Sequence, residues 1–156
     1  MEKKPVAVSQ VHMTELVLPN DANQLGNLHG GRLMHWIDVA ASISAQRHSG
    51  RVCVTASVDK INFDLPIKLG DVVTLKASVN RAFRTSMEVG VLVTAQGLGQ
   101  DEPRRANNAY LTFVAIDETG HPVAVPESLP ESRDEIRRYK EALARRQDRL
   151  SRRRPS

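Results

Sequence analysis

The chain has 156 residues, of which 40% are apolar, 26% charged and 4% aromatic. That is the size and make-up of one ordinary domain whose core is built mostly from aliphatic side chains. The single cysteine, Cys53, excludes an internal disulfide. No basic-then-apolar leader and no run of membrane-spanning length appears, so the expected setting is reduced and cytoplasmic. The net charge of +4 is unevenly placed. Residues 131–156 hold ten Lys/Arg against five Asp/Glu, whereas residues 1–130 hold twelve against thirteen. The basic character therefore sits at the end of the chain. No aromatic side chain lies among the last arginines to stack on bases, so the tail reads as a solvated helix end and not as a nucleic-acid site.

Residues 1–10 read as a flexible N-terminus. Val11 to Pro19 is a first strand, stopped by the proline. A polar loop runs to His29, and from Gly30 the pattern turns helical. Leu33, Ile37, Ala40, Ala41 and Ser44 share one face at helical spacing, and most are small, which suits a helix pressed against a sheet. Gly50 is the expected C-terminal cap. Four strands follow: Val52–Phe63, Val72–Phe83, Met87–Gly97 and Ala106–Ile116, each rich in β-branched residues or alternating in polarity. Their short connections predict antiparallel neighbours. A second helix begins after Ser128, with either Ser128/Glu131 or Ser132/Glu135 as a capping box and Pro130 at an early helical position. One small-faced helix against one antiparallel sheet is an α+β arrangement.

The unusual stretch is "PNDANQLGNLHGGRLMHWIDVAA", Pro19 to Ala41. Its helix carries a carboxylate, Asp38, on the face of Met34 and Ser42. One reading is a solvent-facing acid. The other is a general base, since a carboxylate set among apolar groups can take a proton. Gly30 and Gly31 at the helix start present backbone N–H groups that favour developing negative charge, the form of an oxyanion hole; a tight turn is the plainer reading. Asn23 and Asn27 offer amides for a water or a carbonyl, or simply cap a loop. His29 and His35 raise a metal site, with His35 one turn from Asp38, but no further ligand cluster accompanies them and no metal is expected. Cys53, inside a β-rich run, reads as a buried structural thiol.

Taken together with "VTASVDKINFDLPIKLGDVV", "SMEVGVLV", "YLTFVAID" and "VAVPES", that stretch resembles the hotdog-fold acyl-CoA thioesterases, the cytosolic or brain-type acyl-CoA hydrolases and their single-domain bacterial relatives. The likeness runs from about His12 into the last helix. It implies a hotdog fold: a curved antiparallel sheet wrapped around one central helix, plus a C-terminal helix. The implied division is a thioesterase domain over 11–126, a helix over 127–150 and a basic tail over 151–156. The resemblance further implies hydrolysis of acyl-CoA to free fatty acid and CoA, with sites at a dimer interface. Asp38 matches the family's helix acid, Gly30 with Gly31 its helix start, and Asn23 its loop amide, Asn27 being the weaker match. CoA is substrate and product, and no cofactor is expected. The turn "NRAFRTS" supplies Arg81, Arg84, Thr85 and Ser86, residue types suited to CoA phosphates or to an ordinary charged hairpin tip. The expected partners are the acyl-CoA substrate and a second copy of the chain, with dimers assembling further into a hexamer or tetramer; membranes and nucleic acid are not expected. A dehydratase or hydratase using His29 or His35, and a non-catalytic acyl-CoA binder, are the competing readings.

Overall fold

The computed structural model describes residues 1–59, 61 and 65–152. Its main body is a five-stranded antiparallel sheet formed by β2 (Val11–Leu16), β3 (Val52–Asp59), β4 (Val72–Ala82), β5 (Ser86–Gln96) and β6 (Arg104–Ile116), in the order β2-β4-β5-β6-β3. The 20-residue helix α1 (Gly30–Ser49) lies against one face of it. A second helix, α2 (Arg133–Arg152), packs on the other. The architecture is the α+β arrangement that the sequence pattern implied, in the hotdog form that the resemblance implied. No described helix is long and apolar enough to cross a membrane.

The helix face expected from its spacing is the buried one: Leu33, Ile37, Ala40, Ala41 and Ser44 are all in the core, joined by Trp36, Ala45 and His48. They meet Leu75 and Val79 of β4, Met87, Val89 and Val91 of β5 and Leu111 and Phe113 of β6. Small helix residues let the backbone sit close to these aliphatic rows, which is how the core fills with so few aromatics. Gly50 ends the helix in the left-handed conformation (φ 67°) and its amide returns to Gln46 O at 2.8 Å.

Three expectations change. The strands after α1 are not a simple meander: β3 lies beside β6 at the far edge, and only β4, β5 and β6 run as neighbours in sequence. Returning from β3 to β4 means crossing about 14 Å, three strand spacings, which the connecting segment can span. The end of the predicted strand, residues 60 and 62–63, lies outside the described residues, as do residues 153–156 of the basic tail. Secondly, the start of the chain is not loose. β1 (Lys4–Pro5) pairs in parallel with β7 (Ser128–Leu129), and the 3-10 turn Val6–Ser9 buries Val6. Ser9 Oγ donates to Val6 O and accepts from Val79 N, at 2.7 and 2.8 Å. A buried valine and a satisfied β4 amide hold this segment. Thirdly, the capping box is Ser132/Glu135: Ser132 Oγ accepts from Glu135 N and Glu135 Oε1 from Ser132 N, both at 3.1 Å. Pro130 precedes the helix, and Ser128 Oγ accepts from Ala82 N instead.

Candidate active site

The loop before α1 is held by its own polar side chains. Asp21 accepts from Leu18 N at 3.0 Å and lies 3.2 Å from Arg32 Nε. Asn23 Oδ1 accepts from Leu25 N and Asn27 N at 2.9 and 3.1 Å, so the loop-cap role is real. It occupies only the oxygen of the amide. The Nδ2 group donates to no described residue and is left for another acceptor. Asn27 spends its backbone on this turn and on a bridge to Lys68.

His29 stands at the helix N-cap but contributes no side-chain cap. The amides of Gly30 and Gly31 accordingly have no acceptor among the described residues. A Cβ on Gly31 would meet nothing within 4 Å, so this chain's own packing does not require glycine there. His29, Arg32 and His35 surround the open space there.

Asp38 is half-buried, in a stripe with Met34 and Ser42, and its Oδ1 accepts from Thr55 Oγ1 at 2.8 Å. This bond ties the carboxylate to β3, the strand whose second edge pairs with no described strand. Thr55 is a candidate site residue that the sequence pattern does not reveal, because within "VCVTASV" it looks like any β-branched strand residue. Among the described residues neither His29 nor His35 hydrogen-bonds a carboxylate, and no three His, Cys, Asp or Glu side chains converge on one point. Cys53 is half-buried beside Ser49, and burial pushes its thiol pKa up, with the contact to Ser49 opposing that.

The hairpin tip lies elsewhere. Ser86 is in register with Val114, at the end of the sheet where α1 stops, whereas Asn27 and Gly30 sit by Lys68 at the other end. Arg84 is exposed there, and the carbonyls of Arg84 and Thr85 accept from Val125 and Ala115. Arg81 is already engaged: its guanidinium donates to Tyr139 O at 3.2 Å and stacks on the Tyr139 ring at 3.9 Å. α1 is about 30 Å long, so one chain cannot bring this tip to its own Gly30.

A helix thus lies against an antiparallel sheet, with two glycine amides at its start that find no acceptor among the described residues and a strand-held carboxylate farther along. Residues 25–101 match the thioesterase superfamily. The chain is 43% identical over 148 residues to a Bacillus subtilis acyl-CoA thioester hydrolase, YkhA, covering 95% of this chain and 86% of that one. It is also 43% identical over 142 residues to mouse acyl-coenzyme A thioesterase 11, covering 91% of this chain but spanning only 24% of that longer protein. Among solved structures, a Staphylococcus aureus acyl-CoA hydrolase bound to butyryl coenzyme A, coenzyme A and coenzyme A disulfide superposes with a TM-score of 0.91 at 38% identity, covering 97% of this chain and 92% of that one. That enzyme is also solved with alanine in place of one Asp, one Asn and one Thr. The chain belongs to the thioesterase superfamily.

Proposed function

We propose that the protein hydrolyses acyl-CoA to a free fatty acid and CoA at sites shared between two copies of the chain. Asp38 takes a proton from water as the water oxygen attacks the thioester carbonyl carbon. The carbonyl oxygen becomes an oxyanion held by the Gly30 and Gly31 amides. Collapse of this intermediate breaks the C–S bond, and the departing CoA sulfur takes the proton. Asn23 Nδ2 orients the water or the carbonyl.

The observation that carries the reading is the Thr55–Asp38 bond, which fixes a carboxylate beside an unpaired strand edge. The replaced Asn and Asp of the Staphylococcus aureus enzyme are 15 residues apart, and its Asp and Thr 17. Asn23, Asp38 and Thr55 have the same separations. Gly30 and Asp38 lie about 12 Å apart along one helix by its rise, too far to act on one carbonyl. A two-fold pairing through β3 sets the helices antiparallel and brings the partner's acid toward this chain's glycines. The same pairing brings a second copy's hairpin tip, with Arg84, Thr85 and Ser86, toward the Gly30 end, where they would hold CoA phosphates. A solved acyl-CoA thioesterase that is 38% identical and superposes with a TM-score of 0.94 is hexameric, which supports assembly beyond one chain. No metal or prosthetic group takes part in the proposed steps, so hydrolysis should survive exhaustive chelation.

The test is complementation. Asn23→Ala and Asp38→Ala should each be nearly inactive alone. Unfolded together and refolded, half of the dimers are mixed, each with one intact site, so thiol release should return to about a quarter of wild type. Confirmed subunit exchange without recovered activity would remove the shared site. A protein that binds acyl-CoA and releases no thiol would instead be the non-catalytic binder.

A further inference from the structure

The direction in which the Gly30 and Gly31 amides point is set from outside the helix. Glycine has no side chain to hold its backbone, and α1 begins without a side-chain cap. The attachments lie on either side of the pair. His29, just before it, donates its amide to Asp21 O at 2.9 Å. Arg32, just after it, places its Nε 3.2 Å from Asp21 Oδ1. One residue of the loop therefore holds both ends of the two-glycine segment, with its main chain on one side and its side chain on the other.

Asp21 is itself anchored to the sheet. Its amide donates to Leu18 O at 2.9 Å and its Oδ2 accepts from Leu18 N at 3.0 Å, so the two residues are joined in both directions. Val17, next in line, is buried; its amide donates to Asp71 O and its carbonyl accepts from Gly70 N, at 3.0 and 2.9 Å. These contacts run from the entry to β4 through Leu18 and Asp21 to the first turn of α1. Asp21 is buried, and both oxygens of its carboxylate are spent on them. The Arg32 side chain is 42% exposed. An ion pair open to water on its arginine side adds little to stability. A charge-assisted contact to a carboxylate that is already fixed gives direction instead.

Resting on the role proposed above for the glycine amides, we propose that Asp21 is a positioning residue of the reaction. Through His29 and Arg32 it aims the Gly30 and Gly31 N–H groups at the place where the thioester oxygen gathers charge. Such donors work because they are in place before the charge develops. Asp21 touches no substrate in this role, and the bond-making steps are unchanged. An asparagine there keeps the size and can still accept from Leu18 N, but it offers Arg32 no negative charge. The first turn then loses its hold beside Gly31 while the loop stays closed. The grip on the oxyanion weakens more than the grip on bound acyl-CoA, whose carbonyl carries little charge before the attack.

Thiol release by the full-length protein, with kcat and KM measured separately, tests the role. Asp21→Asn should lower kcat by about tenfold to a hundredfold, with KM within about twofold of wild type, as a small displacement at a reacting centre does. Arg32→Ala should show the same split, and the double variant should be no slower than the slower single one, since both act through one link. Arg32→Lys, which keeps a cation near Asp21, should recover part of the loss. Thermal midpoint and assembly mass should stay close to wild type in all four variants. Should Asp21→Asn fold poorly, the exposed Arg32→Ala decides by the same criteria. Wild-type kcat in these variants overturns the proposal. So does a rise in KM at unchanged kcat, which would assign the pair to holding CoA, or a fall in kcat that only tracks the folded fraction, which would leave Asp21 a loop anchor. Asp38→Asn run alongside separates the two claims. If Asp38→Asn keeps the wild-type rate, the hydrolysis reading falls and this role with it; if Asp38→Asn is slow and Asp21→Asn is not, the positioning role falls alone.

Discussion

The two faces of the sheet solve the same problem by opposite chemistry. The inner face, toward α1, is dry and aliphatic: Leu75, Val79, Met87, Val89, Leu111 and Phe113 meet a helix of alanines and serines. The outer face, toward α2, buries a carboxylate and an amide, Glu88 and Asn80, each 1% exposed, under arginines. α2 crosses that face diagonally: Arg81 of β4 holds Tyr139, Arg145 reaches Glu88 of β5 and Tyr110 of β6, and Arg149 reaches Asp59 of β3. Apolar packing is tolerant of direction, whereas bidentate arginine contacts are not. The inner face therefore supplies cohesion, and the outer face sets where one helix lies.

The comparison breaks first at Asp38, a half-buried carboxylate on the helix of the dry side. Asp38→Asn keeps the shape and removes the proposed base, so kcat should fall by about 10²–10⁴ with the thermal midpoint nearly unchanged, measured by thiol release and calorimetry. Phe113→Ala should cost about 3–5 kcal/mol in denaturant unfolding, because it opens a cavity that α1 cannot refill. Arg145→Ala leaves Glu88 buried without its cation and should cost about 3 kcal/mol. Replacing both, Glu88→Leu with Arg145→Leu, should restore most of that loss. No second substitution should rescue Phe113→Ala in this way, and if one does, the two faces are not energetically distinct.

The smallest effect concerns His48, buried where α1 ends. Its Nε2 donates to Pro126 O at 2.7 Å and its Nδ1 has no partner among the described residues. Burial lowers its pKa below the usual 6.5, with the field of Lys4 adding to this and the bond to Pro126 opposing it. The folded protein thus holds the neutral ring while the unfolded chain takes up a proton. Stability should be flat above about pH 6.5 and fall as pH drops below it. His48→Gln should lose less stability than wild type between pH 7 and pH 5.5, followed by urea unfolding.

The inner face was legible in the sequence because its periodicity is strong. The spacing of Leu33, Ile37, Ala40, Ala41 and Ser44 gave the helix and its buried side, and Gly50 gave its end. The outer face was not. A helix as charged as α2 reads as solvated, and nothing local reveals that Arg145 will meet a glutamate 57 residues away. The strand order failed for a similar reason. β3 joins β6 because α1 carries the chain across the sheet, a long-range choice that no window of residues encodes. Within the candidate site, Asp38 and Gly30 stood out by type and position, while Thr55 matters only through the bond it makes.

The irregularity in β3 has a consequence for how this strand tolerates changes of length. Thr55 pairs with Phe113 and Ser57 with Thr112, so Ala56 is a supernumerary residue opposite no partner of its own. Thr55 reaches inward to Asp38, and Asp59, beyond the extra residue, reaches outward to Arg149. Excising Ala56 would leave every pairing with β6 in place and both side chains on their present faces. Only the outline of the free edge would alter. The strand therefore carries one residue more than its ladder needs, and its removal would alter the contour of the free edge while sparing the interior, which makes the proposed pairing through β3 testable separately from folding.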